Sequence, residues 1–181
     1  METRSDLVTL RPFEPSHLPR LARWLRAPHV ARWYPEPESN LAWAAAPPPG
    51  GSQALIASGP HEVGYLRWQR VDRETLDALD LFEIPAGSVD ADILIGEAGD
   101  VGRGAGPAAL CALAAELARD PTVPLVGLTT ALANTRAHRA FEKAGFRIAR
   151  QYDDGVTGLC HLMLRDLRAE RRLADEGAGD R

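Results

Sequence analysis

The stretch Asp92-Ile93-Leu94-Ile95-Gly96, followed four residues later by Val101-Gly102-Arg103-Gly104-Ala105-Gly106, decides the fold. A β-prone run enters a glycine-rich turn, and the turn opens an alanine- and leucine-rich helix over residues 105–118 that Asp120-Pro121 ends. Glycines let a backbone approach a ligand closely and adopt positive φ. The first turn of a helix presents unpaired N–H groups and the positive end of its dipole. Together these make an anion site suited to a pyrophosphate. The spacing differs from the G-x-G-x-x-G dinucleotide fingerprint, and Gly106-Pro107 stands where a P-loop has Gly-Lys-Ser/Thr. On this segment alone, a plain glycine-rich loop remains the alternative.

Outward from that turn the chain alternates. On the C-terminal side, residues 125–129 read as a strand, and Asn134 caps a helix that Gly145 stops. Residues 146–152 and 159–164 form a hairpin across Asp153-Asp154-Gly155. On the N-terminal side, residues 89–95, 63–71, 53–57 and 7–10 read as strands, with a turn over residues 59–62 and a loop at Pro47-Pro48-Pro49-Gly50-Gly51. Ser16 stands where it can cap a helix carrying Leu18, Leu21, Ala22, Trp24 and Leu25. Between Pro28 and Pro35, residues 29–34 are a short helix or a turn, and residues 72–88 are acidic and irregular. The pattern predicts an α/β (α+β) fold, one mixed sheet flanked by helices. Residues 1–168 form the single domain, and the charged tail 169–181 is expected to fray.

Composition bounds the function. The chain has 181 residues, 45% of them hydrophobic, which suits one domain with a full core. Its formal net charge of -4 argues against general affinity for nucleic acid or an anionic membrane and suits a cationic partner. Cys111 and Cys160 lack metal-ligand spacing and read as buried thiols of a reducing compartment. His29, His61, His138 and His161 are scattered, so no metal is assigned. Met1 to Asp6 is polar without an apolar signal core, and no stretch approaches a membrane span, so a cytoplasmic location is expected.

The segment from Asn134 to Phe146 adds a second motif. Ala137, Ala140, Phe141 and Ala144 make a narrow inner helical face, while Arg136, Arg139 and Lys143 lie on other faces within reach of phosphates. Alone, it is an ordinary amphipathic helix with a basic side. The two segments in this order resemble the GNAT acetyltransferases. The glycine turn resembles that family's pyrophosphate loop, and Asn134 with Arg136-Ala137 and Phe141-Glu142-Lys143-Ala144-Gly145-Phe146 resembles the helix after its fifth strand. The resemblance spans residues 7–164. It implies a mixed sheet of six to seven strands with about four helices, splayed between its fourth and fifth strands. It also implies acetyl-CoA as co-substrate, with the pantetheine along Ile93, Leu94 and Ile95 and beside Asn134. The pyrophosphate would rest on Gly102, Arg103, Gly104, Ala105 and Gly106. Val101 replaces the usual Gln or Arg at a position that contributes mainly backbone.

Within the family, the N-terminal pattern is similar to that of aminoglycoside 6'-N-acetyltransferases, and siderophore-lysine acetyltransferases share its style. The residues concerned are Val8-Thr9-Leu10-Arg11-Pro12, Leu21, Trp24-Leu25, His29-Val30 and Arg32-Trp33-Tyr34, with Gly64-Tyr65 in the third strand. This resemblance implies a small cationic amine as acceptor and a place in antibiotic resistance. Asp92 falls on the acidic residue near the acceptor amine, either accepting its proton or only holding the ammonium. Trp33, Tyr34, Trp68, Asp77, Asp80 and Glu83 are the expected acceptor pocket, because a polycationic sugar suits carboxylates and flat aromatic walls. There are two departures: Phe141 stands where the subfamily has a tyrosine that protonates the leaving thiolate, and Thr129-Thr130 stands where an aspartate helps bind the acceptor. Neither cysteine has a partner base, so direct transfer is expected over an acyl-enzyme. A peptide N-acetyltransferase and a non-catalytic acyl-CoA sensor are the competing readings, and a dinucleotide oxidoreductase is more distant. A monomer and a homodimer through the C-terminal hairpin are both open.

Overall fold

A computed structural model describes residues 8–178; Leu7, the polar segment of residues 1–6 and residues 179–181 lie outside the described residues. The strands are β1 (Val8–Pro12), β2 (Gly51–Ser58), β3 (His61–Arg70), β4 (Val89–Ile95), β5 (Leu125–Ala131), β6 (Arg147–Asp153) and β7 (Leu159–Asp166). They form one sheet in the order β1-β2-β3-β4-β5-β7-β6. Every neighbouring pair is antiparallel except β4 and β5, which run parallel. The seven strands fall within the six to seven that the resemblance implied, and the helices are more numerous than the four expected.

The helices are α1 (Leu18–Leu25), α2 (Pro28–Ala31), α3 (Pro37–Ala45), α4 (Arg73–Ala78), α5 (Ala105–Leu117), α6 (Thr135–Lys143) and α7 (Leu167–Ala178). The helix α5 lays Ala105, Ala109, Leu110, Leu113 and Ala114 against one face of the sheet, where they bury with Ile56, Leu66, Val126 and Leu128. These positions follow the i, i+4 rhythm of an apolar stripe. On the opposite face, Leu21, Trp24 and Leu25 of α1 pack with Leu55, Tyr65 and Leu94. A third cluster, Leu76, Leu81, Ile84, Leu125 and Leu162, seats α4 on the β5–β7 half.

Several expectations are corrected. Ser16 lies inside a 3-10 turn, Pro15–His17, and does not cap α1. Residues 72–88 contain α4, whose N-cap Asp72 accepts from the Thr75 amide at 2.8 Å. The helix α3 was not foreseen; it begins with Pro37 in its first turn, where a missing N–H costs nothing. Past Arg168, where the sequence led to a fraying tail, the chain runs as α7 to Ala178. Arg171 anchors it by donating to the carbonyls of Ala118 and Val123. Cys160 is buried as expected, but Cys111 is exposed because it falls on the outer side of α5.

Gly96 closes β4, with its amide donating to the Val63 carbonyl at 2.8 Å. A Cβ at this position would collide with the ring of Trp24, itself fully buried. Trp24 Nε1 donates to Glu97 Oε1 at 2.8 Å, and Arg23 binds the same oxygen, so α1 fixes the entry to the glycine turn. Gly96→Ala is expected to destabilise the fold by about 2 kcal/mol through overpacking, read as a lower denaturation midpoint with an unchanged slope.

Candidate active site

β4 and β5 pair over only two rungs, Val89 with Val126 and Asp90 with Gly127. Beyond them the strands diverge, and the β5-facing edge of residues 91–95 is left without a strand partner. An unpaired edge presents backbone N–H and C=O groups that an extended amide chain can pair with. A cleft of about 560 Å³ passes through the gap. On the α5 side it is lined by Ile93, Asn134, Ala137 and Phe141, and on the other by Tyr34, Asp90 and Asp92.

The glycine turn follows at the end of β4. Gly102 and Gly104 take φ of 80° and 91°, conformations that other residues adopt at a cost. Gly104 is the N-cap of α5, and the first intrahelical bond runs from the Ala108 amide to its carbonyl. The amides of Ala105 and Gly106 belong to the first turn, which has no intrahelical acceptors, and Pro107 has no N–H to leave unpaired. A Cβ on Gly102 or Gly106 would meet open space. These features fit a diphosphate at the helix N-terminus, with the unpaired β4 edge leading from it into the gap.

Alternation along β4 sets Ser88, Asp90 and Asp92 in one stripe facing the cleft. Across the sheet on β3, Arg67 binds Asp92 through Nε at 2.9 Å and Nη2 at 2.8 Å. Both contacts fall on Oδ2, and Oδ1 has no partner among the described residues. Arg67 also stacks 4.9 Å from the ring of Trp43, which lines the cleft. Asp90 makes no hydrogen bond among the described residues. Desolvation, and then the neighbouring Asp92 charge, push its carboxyl up to about 7 against the opposing pull of Arg67. Burial likewise raises the Tyr152 hydroxyl to about 12 and lifts Tyr34 well above its usual range.

Of the acceptor residues expected from sequence, Trp33, Tyr34 and Asp92 line the cleft. Trp68 does not: it alternates with Arg67 on β3 and packs on the opposite face, against the α5-side core. Asp77 pairs with Arg73, Glu83 pairs with Arg150, and the Asp80 carbonyl accepts from Arg150; all three lie outside the cleft. These charges tie the 72–88 segment to itself and to β6. Of the coenzyme residues, Ile93 and Asn134 reach the cleft, and Asn134 Oδ1 also caps α6. Leu94 is buried toward α1 and does not line the cleft, and the Ile95 carbonyl lies 3.0 Å from His29 Nε2. Arg103 and Lys143 are exposed. Thr129 and Thr130 lie within β5, not after it, and both line the cleft. Asp90, Ser88, Trp43 and Tyr152 were missed. Asp90 stood in plain view two residues before Asp92, and alternation alone would have put it on the same wall.

Cys160 is buried beside Thr157 and Asp154, and desolvation raises its thiol. Neither it nor Cys111 lines the cleft, so neither thiol is placed for a covalent route. No group of metal-ligating side chains occurs among the described residues, and no helix among them is long and apolar enough to cross a membrane. Gly104→Ala is expected to weaken acetyl-CoA binding about tenfold by straining the positive-φ cap, with the fold retained. Isothermal titration checks this.

Comparisons with known proteins agree with this geometry. No curated protein matches the chain. Among solved structures, aminoglycoside acetyltransferase AAC(6')-Ib in complex with coenzyme A and kanamycin superposes with a TM-score of 0.76 at 23% identity, covering 91% of this chain and 98% of that one. An aminoglycoside N(6')acetyltransferase from Legionella pneumophila gives a TM-score of 0.69 at 17% identity, covering 96% and 98%. An uncharacterized protein from Bacillus halodurans gives 0.78 at 15%, covering 93% and 89%. The family described as "Acetyltransferase (GNAT) domain" matches residues 14–154. The splayed sheet, the glycine turn and this match lead to one conclusion: the chain belongs to the GNAT family and is an acetyl-CoA-dependent N-acetyltransferase.

Proposed function

We propose that the chain transfers the acetyl group of acetyl-CoA to a primary amine of a small cationic acceptor, with the 6'-amine of an aminoglycoside first among the candidates. The observation that carries this reading is the carboxylate stripe of Asp90 and Asp92 on a cleft wall shared with Trp33, Tyr34 and Trp43. Carboxylates beside flat rings attract and orient a polar cation. Kanamycin in the complex of a structural neighbour is consistent with it.

Acetyl transfer to an amine needs a neutral nitrogen, a polarised thioester carbonyl and a stabilised leaving thiolate. Asp92 holds the ammonium through its unengaged Oδ1, while Arg67 orients the carboxylate through Oδ2. A backbone N–H on the splayed edge of β4 supplies the hydrogen bond to the developing oxyanion. Asn134 and the glycine turn position the coenzyme. The amine attacks directly within a ternary complex.

Phe141 lines the cleft with no proton to give. Phe141→Tyr is expected to raise kcat severalfold with little change in the KM for acetyl-CoA, measured by thiol release. An unchanged kcat would mean that another group already protonates the thiolate.

The acceptor assignment is tested by thiol release against kanamycin, a 6'-hydroxyl aminoglycoside, lysine, polyamines and short peptides. Release with kanamycin and none with the 6'-hydroxyl analogue is expected. Release only with lysine derivatives or peptides would replace the aminoglycoside by the corresponding acceptor.

A further inference from the structure

Two polar groups at the inner end of the cleft have no structural duty. Ser88 is 2% exposed, and its Oγ has no hydrogen-bond partner. Leaving a buried hydroxyl unsatisfied costs about 1–3 kcal/mol, so such a group points to a ligand that satisfies it. Asp90, two residues along the same wall, makes no hydrogen bond among the described residues. Asp92 differs, because Arg67 occupies one of its oxygens twice over. Asp90 also stands on the last rung before the strands part, opposite Gly127, where no side chain blocks its approach to the gap.

We propose that Asp90 is the carboxylate that takes the proton from the acceptor ammonium, and that Asp90 and Ser88 together seat the amine. This rests on the acetyl-transfer reading above and divides the labour of the two aspartates. Asp92, paired with Arg67, holds the ammonium; Asp90, which forms no ion pair among the described residues, moves a proton. The ammonium gives one proton to Asp90, and the neutral nitrogen then forms the C–N bond to the thioester carbon. The tetrahedral intermediate breaks its C–S bond, and one of the two protons on nitrogen passes to the thiolate, the other staying as the amide N–H. The products are the amide and the free thiol, and Asp90 returns its proton to water. The groups facing Asp90 are Asp92 on its own strand, Arg67 on β3, Tyr34 before α3 and Tyr152 on β6. Asp92 and the desolvated wall raise its carboxyl toward neutrality and Arg67 opposes them, which suits a base that works near pH 7. Beside them Leu76, Leu81, Ile84, Leu125 and Leu162 form an apolar wall of the cleft.

The test compares wild type, Asp90→Asn, Asp92→Asn and Ser88→Ala with kanamycin and acetyl-CoA across pH. In wild type, kcat/KM should rise with pH and level off above about 7. Asp90→Asn should lower kcat about 100-fold or more and abolish that limb, with acetyl-CoA affinity retained. Asp92→Asn and Ser88→Ala should chiefly raise the acceptor KM and keep the limb. A limb that survives in Asp90→Asn with kcat near wild type would overturn the proposal. A wild type that leaves kanamycin untouched would sink the aminoglycoside reading, and a second measurement then decides the present one. In carbonyl-13C NMR of aspartate-labelled protein, one carboxyl should titrate near neutral pH, move lower on adding cyclohexylamine and vanish in Asp90→Asn. Absence of such a carboxyl would overturn the proposal.

Discussion

The separation of β4 from β5 after two rungs is the constraint from which the site follows. A parallel pair that continued along its full length would bury the backbone edge of residues 91–95 in hydrogen bonds. On its other edge β5 pairs with β7 along its whole length, over seven rungs from Leu125 with Asp166 to Ala131 with Cys160, so only the β4 side opens. Gly127 sits at the point of departure, where a Cβ would press on Leu164 at 3.2 Å. The gap lets one cleft reach both faces of the sheet. One side carries the glycine turn and α6, and the other carries the carboxylates.

The two aspartates show how one strand produces two kinds of carboxylate. They are two residues apart and face the same cleft, so burial alone does not separate them. Arg67, set directly across from Asp92 in the β3–β4 register, makes the difference. Two rungs away, Gln69 stands opposite Asp90 and offers no charge. Asp92 is held by the guanidinium, and the Asp90 carboxyl rises to about 7 under desolvation and the repulsion of its neighbour.

The sheet and its central βα unit were legible because their signals are local. The β4 range, the α5 start at Ala105 and the Asn134 cap follow from alternation, glycine and capping chemistry. The short helices α3 and α4 were not legible, since six to nine residues with proline or charge at the start carry too little periodicity. The acceptor residues failed for a different reason. Whether Asp77 and Glu83 face a ligand depends on Arg73 and Arg150, and the latter is brought near only by tertiary packing. Trp68 was misplaced by counting its chemistry without its parity on the strand. Trp43 reaches the site from a helix that the sequence did not reveal.

The central claim is that acetyl-CoA runs along the unpaired edge of β4 and ends on the amides of the glycine turn. Amide hydrogen exchange with and without coenzyme A addresses it directly. The account expects added protection in residues 91–95 and 102–106, with little change in β1 and β2. Protection confined to other parts of the sheet, with these amides exchanging as before, would contradict it.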